Sequence, residues 1–221
     1  MKQFYIRFLR LIVGLFLYSL GIVITIRANI GYAPWDVFHA GLAKIININI
    51  GTASIIIGVI IVVVTVLLGE KLGLGSILNM LLIGVFIDLL LGINLIPAAD
   101  NFVLGTIMLI AGLFVIAFAS YFYISSAFGA GPRDSLMVAL TRITRLPVGV
   151  CRGAIEGLAV LAGWRLGGMV GAGTVISALA IGACVQITFK LLKFDAAEVK
   201  HETLDQTLKT VTALKVKPEK L

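Results

Sequence analysis

The chain has 221 residues, 60% apolar and 13% charged, with a mean hydropathy of +1.09 and a formal net charge of +7. That leaves too little polar surface for a soluble domain of this size, and the long apolar runs lack the alternation of a membrane β-barrel. The composition points to an all-α, polytopic membrane protein, whose basic excess at the N-terminus, in the second-half turn region and in the tail fits cytoplasmic segments better than nucleic-acid binding.

The first predicted element follows the basic stretch MKQFYIRFLR. Its apolar run, 8–28, has no small-x-small cleavage site and further spans follow it, so it reads as an uncleaved first span. GYAPWD comes next, from Gly31 to Asp36. Glycine allows a sharp entry. Proline suits the first helical turn, where its missing N–H would be unpaired anyway. An acid there meets the positive end of the helix dipole. The motif predicts a short helix over 34–46, with Gly31 turning the chain, Pro34 opening the helix and Asp36 capping its first turn. A second span is expected at 51–69 and a third at 73–93, with Gly69, Gly73 and Gly75 at the turn between them. Small residues there also let helices pack closely in lipid. The linker GINLIPAADN then carries the turn residues Asn94, Pro97, Asp100 and Asn101.

The same order then returns. A span is expected at 104–126, a short helix at 132–145 opened by GAGPRD, and spans at 149–167 and 171–191. Gly129, Pro132 and Asp134 stand where Gly31, Pro34 and Asp36 stood, at an offset equal to the distance from Asp36 to Asp134. Gly14, Gly51, Gly69, Gly73, Gly75 and Gly84 keep the same ungapped register with Gly112, Gly149, Gly167, Gly171, Gly173 and Gly182. Internal repeats of this kind mark transporter folds. The chain divides into a first membrane repeat at 1–98, a second at 99–193 and a cytoplasmic polar tail at 194–221. In the tail Leu204, Leu208, Val211 and Leu214 keep helical spacing, suited to lying on the membrane surface or on the protein.

The short helix decides topology. About 13 residues reach only ~20 Å, too short for the ~30 Å hydrocarbon core. If it does not cross, each repeat has three spans and the second lies inverted. The basic residues then gather on the cytoplasmic side, with both termini inside. If it is stretched to Ile50 and crosses, there are eight spans and a parallel repeat.

The repeated turn admits two readings. In one it only starts a helix. In the other, two short helices point their N-termini at a shared central site, where Asp36 and Asp134 would bind a cation, a proton or an amine. The flanks differ between halves. Trp35 matches Arg133 and His39 matches Met137, which would make such a site asymmetric. The plainer readings are an interfacial tryptophan, a positive-inside arginine and a structural histidine. Arg152 and Glu156 are four apart on one helix face and can pair; Ser54 and Gly58 stand in their places in the first half. Asp88 is matched by Gln186, and Asn79 by Ser177. Ionisable groups within spans are expensive and are functional candidates.

Both cysteines, Cys151 and Cys184, lie in apolar runs. They imply no disulfide framework and no metal spacing. No catalytic set and no cofactor motif is expected.

GYAPWDVFHAGL, LGEKLGLGSILNMLLIGVFIDLLL and GAGPRDSLMVAL resemble the YczE-like members of the YczE/YyaS/YitT group of bacterial integral membrane proteins. The matching positions are Pro34, Trp35, Asp36, Gly73, Gly75, Asn79, Gly84 and Asp88; the second half departs at Arg133 and Gln186. The resemblance implies a multi-pass protein of the bacterial plasma membrane and carries no catalytic residue. The expected function is a small-solute transporter or channel, with a non-transporting accessory protein as the alternative and an intramembrane enzyme disfavoured. The expected partners are the lipid bilayer and an unidentified small solute or ion, with no nucleic acid, and a homodimer is compatible with so small a bundle.

Overall fold

The computed structural model describes residues 2–216, with side chains for residues 3–212. The described residues form nine α-helices and one 3-10 turn, with no strand among them. In chain order the helices are α1 (Lys2–Arg27), α2 (Pro34–Ile46), α3 (Ile50–Leu67), α4 (Leu74–Gly92), α5 (Phe102–Ser125), α6 (Pro132–Thr144), α7 (Val148–Arg165), α8 (Ala172–Leu191) and α9 (Leu204–Val216). This is an all-helical polytopic fold. Five helices, α1, α3, α4, α5 and α8, are long and apolar enough to cross a membrane. α7 has 18 residues but carries Arg152, Glu156 and Arg165.

The local signals set the helix boundaries. Pro34 and Pro132 each open a 13-residue helix. Gly31 and Gly129 precede them at φ +115° and +125°, a region that favours glycine. α2 and α6 end on Asn47 and Arg145 in left-handed conformation. Gly69 and Gly167 share φ +87°. Asp36 departs from expectation. Its carboxylate caps no first-turn N–H; it faces the imidazole of His39 instead.

α1 and α5 cross at the centre. Gly14 of α1 lies against the backbone of Tyr123, and Gly112 of α5 lies against Thr25 and the Gly21 carbonyl. Without side chains the two helices approach closely, and dispersion between backbones stabilises the crossing where lipid supplies no hydrophobic drive. Leu11, Leu15, Ile22 and Val23 of α1 bury against Ile83 and Ile87 of α4. Leu109, Leu113 and Ala117 of α5 bury with Cys184 of α8.

The turns before the short helices dock in exchanged fashion. Gly75 N–H at the start of α4 donates to the Phe128 carbonyl at 2.7 Å, and Gly173 N–H at the start of α8 donates to the Ile30 carbonyl at 2.8 Å. α6 begins beside the 68–75 turn, and at its far end Arg142 donates to the Leu68 carbonyl at 2.5 Å. α2 likewise begins beside the 167–173 turn, with Tyr32 N–H on the Met169 carbonyl, and ends with Lys44 beside Gly167. Each short helix therefore starts and finishes on one turn of the opposite half.

The tail is docked. Arg7 pairs with Glu202 at 2.6 Å, donates to the Ser126 carbonyl and stacks on Phe128. Glu202 N–H donates to the Ala127 carbonyl and Leu204 N–H to the Leu72 carbonyl. Within the expected apolar stripe Leu208 is exposed, and Leu214 lies outside the described side chains.

Candidate functional site

A cavity of about 180 Å³ lies where α1, α3, α4, α5 and α7 surround the first turns of α2 and α6. Trp35 and His39 enter from α2; Gly131, Arg133, Asp134 and Met137 come from the α6 end. Both Gly-Pro-Asp turns thus reach one space.

The chemistry of contact fixes one tautomer. Arg133 Nη2 stands 3.2 Å from His39 Nε2. A guanidinium only donates, so Nε2 is the acceptor and the imidazole is neutral with its proton on Nδ1. Nδ1–H then points to Asp36 Oδ1 at 3.3 Å. The Arg133 guanidinium also lies 4.7 Å from the Trp35 ring centre, a cation–π distance. One cation from α6 is held by three side chains of α2, directly by Trp35 and His39 and through His39 by Asp36.

This corrects one expectation. Asp36 is 4% exposed and stands behind His39, so it does not line the cavity. The Arg133 guanidinium is turned toward α2 and makes no ion pair with Asp134. Among the described residues Asp134 makes no hydrogen bond and no ion pair, while its residue surface is exposed to the cavity. Asn79 Nδ2 is on the same wall, beside Gly131.

Arg152 Nε donates to Glu156 Oε1 at 2.9 Å, as the four-residue spacing predicts, and both line the cavity. One guanidinium N–H is used; among the described residues its other nitrogens have no partner. Asp88 belongs elsewhere. It accepts from Gly51 N–H at 2.7 Å, from Thr52 N–H at 2.9 Å and from the Thr52 hydroxyl at 2.8 Å. It is the acceptor for the start of α3, remote from the cavity.

Two tyrosines that line the cavity are not singled out by the sequence. Tyr18 and Tyr123 face the cavity from α1 and α5. Tyr123 is 5% exposed, and its hydroxyl has no partner among the described residues. A tyrosine away from the interfacial belt was the available signal. His201, in the segment leading to α9, lies within coulombic reach of Asp134. Burial pushes its imidazole below the ordinary value while Asp134 pulls it back up.

Among the described residues no group of three metal-ligating side chains is assembled. No solved structure matches this chain. The membrane protein YczE of Bacillus subtilis (strain 168), described as uncharacterised, is 36% identical over 177 residues, covering 79% of this chain and 81% of its own. An uncharacterised protein of Haemophilus influenzae is 32% identical over 182 residues, covering 82% and 83%. YyaS of Bacillus subtilis is 24% identical over 186 residues, covering 82% and 91%. The model of the family of unknown function DUF6198 matches residues 5–190, nearly the whole helical body and its cavity, and the chain belongs to that family.

Proposed function

We propose that this protein is a small-solute transporter of the bacterial plasma membrane, built as an inverted repeat of three spans and one short helix, with both termini in the cytoplasm. One observation carries the reading. The first turns of α2 and α6 meet across a single polar cavity, bridged by Arg133 on His39 and Trp35. Short helices that aim their N-termini at a central site are the device by which secondary transporters hold solute. A cavity of about 180 Å³ lies below the ~300 Å³ of drug-sized pockets, which suits a small solute. The topology is supported by each short helix starting and ending on one turn, and by Arg7 meeting Glu202.

The test needs no knowledge of the solute. Single cysteines are placed at Asn47, Arg145 and Met137 in a variant with Cys151→Ala and Cys184→Ala, in sealed vesicles of known orientation. An impermeant thiol reagent should label Asn47→Cys and Arg145→Cys from opposite sides. It should label cavity-lining Met137→Cys from both. Labelling of the first two from the same side overturns the inverted arrangement. Labelling of Met137→Cys from one side only overturns transport and leaves the accessory-protein reading.

A further inference from the structure

Four formal charges line the cavity: Arg133, Arg152, Asp134 and Glu156. They are not equally free. Arg133 is held by His39 and Trp35, and Glu156 by Arg152. Among the described residues that leaves one unpaired carboxylate, Asp134, and the guanidinium nitrogens outside these contacts, on Arg152 beyond Nε and on Arg133 beyond Nη2. Arg152 lies within coulombic reach of Asp134. Tyr18 and Tyr123 are within reach of the same carboxylate.

The Tyr123 hydroxyl is the second and independent sign. It is buried, it lines the cavity and it has no partner among the described residues. An unpaired buried hydroxyl is costly and needs a reason. A ligand group that accepts or donates a hydrogen bond supplies one.

We infer that the cavity binds a small zwitterion of the α-amino-acid class, with its ammonium on Asp134 and its carboxylate on the free end of Arg152, within reach of the Tyr123 hydroxyl. A carboxylate only accepts, so Asp134 selects a donor group, and an ammonium offers three N–H. A guanidinium only donates, so Arg152 selects an acceptor. A purely anionic solute would meet Asp134 and Glu156, and a purely cationic one would meet Arg133 and Arg152. Only a ligand carrying both charges satisfies both. The remaining wall, with Ile57, Ile83 and Met80, takes a short apolar side chain. The inference rests on reading the cavity as a solute site.

The probes are L-alanine and L-valine, their methyl esters, which keep only the cation, and their N-acetyl forms, which keep only the anion. Binding to the full chain in nanodiscs is read by calorimetry and by the shift in Tm. Either free amino acid should bind, and the ester and N-acetyl forms should each bind at least about tenfold more weakly. Asp134→Asn and Arg152→Gln should abolish binding. If either variant fails to fold, Tyr123→Phe decides. It removes an unsatisfied hydroxyl, so the Tm without ligand should hold or rise while affinity falls several-fold. Equal or tighter binding of the esters, or of the N-acetyl forms, overturns the inference. So does the absence of binding by the whole panel, or unchanged affinity in Tyr123→Phe together with Asp134→Asn. Labelling of Met137→Cys from both sides alongside a silent panel would leave transport standing and reject only the zwitterion.

Discussion

Between α3 and α4 the backbones run nearly in touch; between α7 and α8 they stand apart. At the first seam a Cβ on Gly51 would strike the Gly84 carbonyl, and one on Gly84 would strike the Gly51 carbonyl and Ile55. Asp88 of α4 then ties the two helices together through Gly51 and Thr52 of α3. The second seam has glycines in the same register, Gly149 and Gly182, yet nothing lies within 4 Å of a Cβ on either. Gln186 replaces Asp88 and Val150 replaces Thr52 there, so neither the anionic acceptor nor the hydroxyl donor is present. Glycine permits close approach without enforcing it. What closes the first seam is a carboxylate that satisfies the free N–H groups at a helix start, where the dipole favours negative charge.

The comparison can be broken most directly by filling each seam. Gly51→Val forces a branched side chain into the Gly84 backbone and should cost about 3 kcal/mol or more, or prevent folding. Gly149→Val should stay within about 0.5 kcal/mol beyond helix propensity. Thermal unfolding in one detergent compares the two, and equal losses would mean that the second seam is also packed. Removing the tie comes next. Asp88→Ala leaves two backbone donors and a hydroxyl without their acceptor, a loss of about 2–3 kcal/mol. Gln186→Ala should change little, read by the same unfolding experiment. The helix ends give a smaller contrast. Arg142 caps the end of α3 through the Leu68 carbonyl and pairs with Glu70 at 3.1 Å. Lys44 only approaches Gly167. Arg142→Ala should cost about 1 kcal/mol and Lys44→Ala less. The smallest effect has the opposite sign. Gly149→Ala and Gly182→Ala should each raise stability by about 0.5–1 kcal/mol through helix propensity. If the double variant is stable but confines labelling of Met137→Cys to one side, the second seam must close in another state of the protein.

The legible part of the site was its local part. The Pro-x-Asp turns that open α2 and α6 and the Arg152–Glu156 pair follow from spacing along one helix. Trp35, Arg133, His39, Asn79 and Asp134 were marked in advance, and the cavity collects them. Asp36 is a candidate as the acid of a repeated helix start and Asp88 as an ionisable group within a span, and the cavity excludes both. One is occupied by His39 and the other by the start of α3. An acid looks the same in sequence whether it awaits a ligand or already holds a helix end.

The sequence by itself determined that the chain is a bundle of membrane helices and roughly where the spans and the two short helices begin and end. Those properties depend on hydrophobic length, on the fixed φ of proline and on the positive φ open to glycine, all of which act within a few residues. Only the tertiary structure decided which polar groups are spent and which are free. Arg133 meets His39 across 94 residues of chain, and Arg7 meets Glu202 across 195. Such pairings depend on how helices cross, and the crossings are set by backbone contacts at Gly14, Gly51, Gly84 and Gly112 that no local spacing encodes. Asp134 stands out as the unpaired carboxylate lining the cavity among the described residues, and the Tyr123 hydroxyl as a buried group of the same cavity without a partner there.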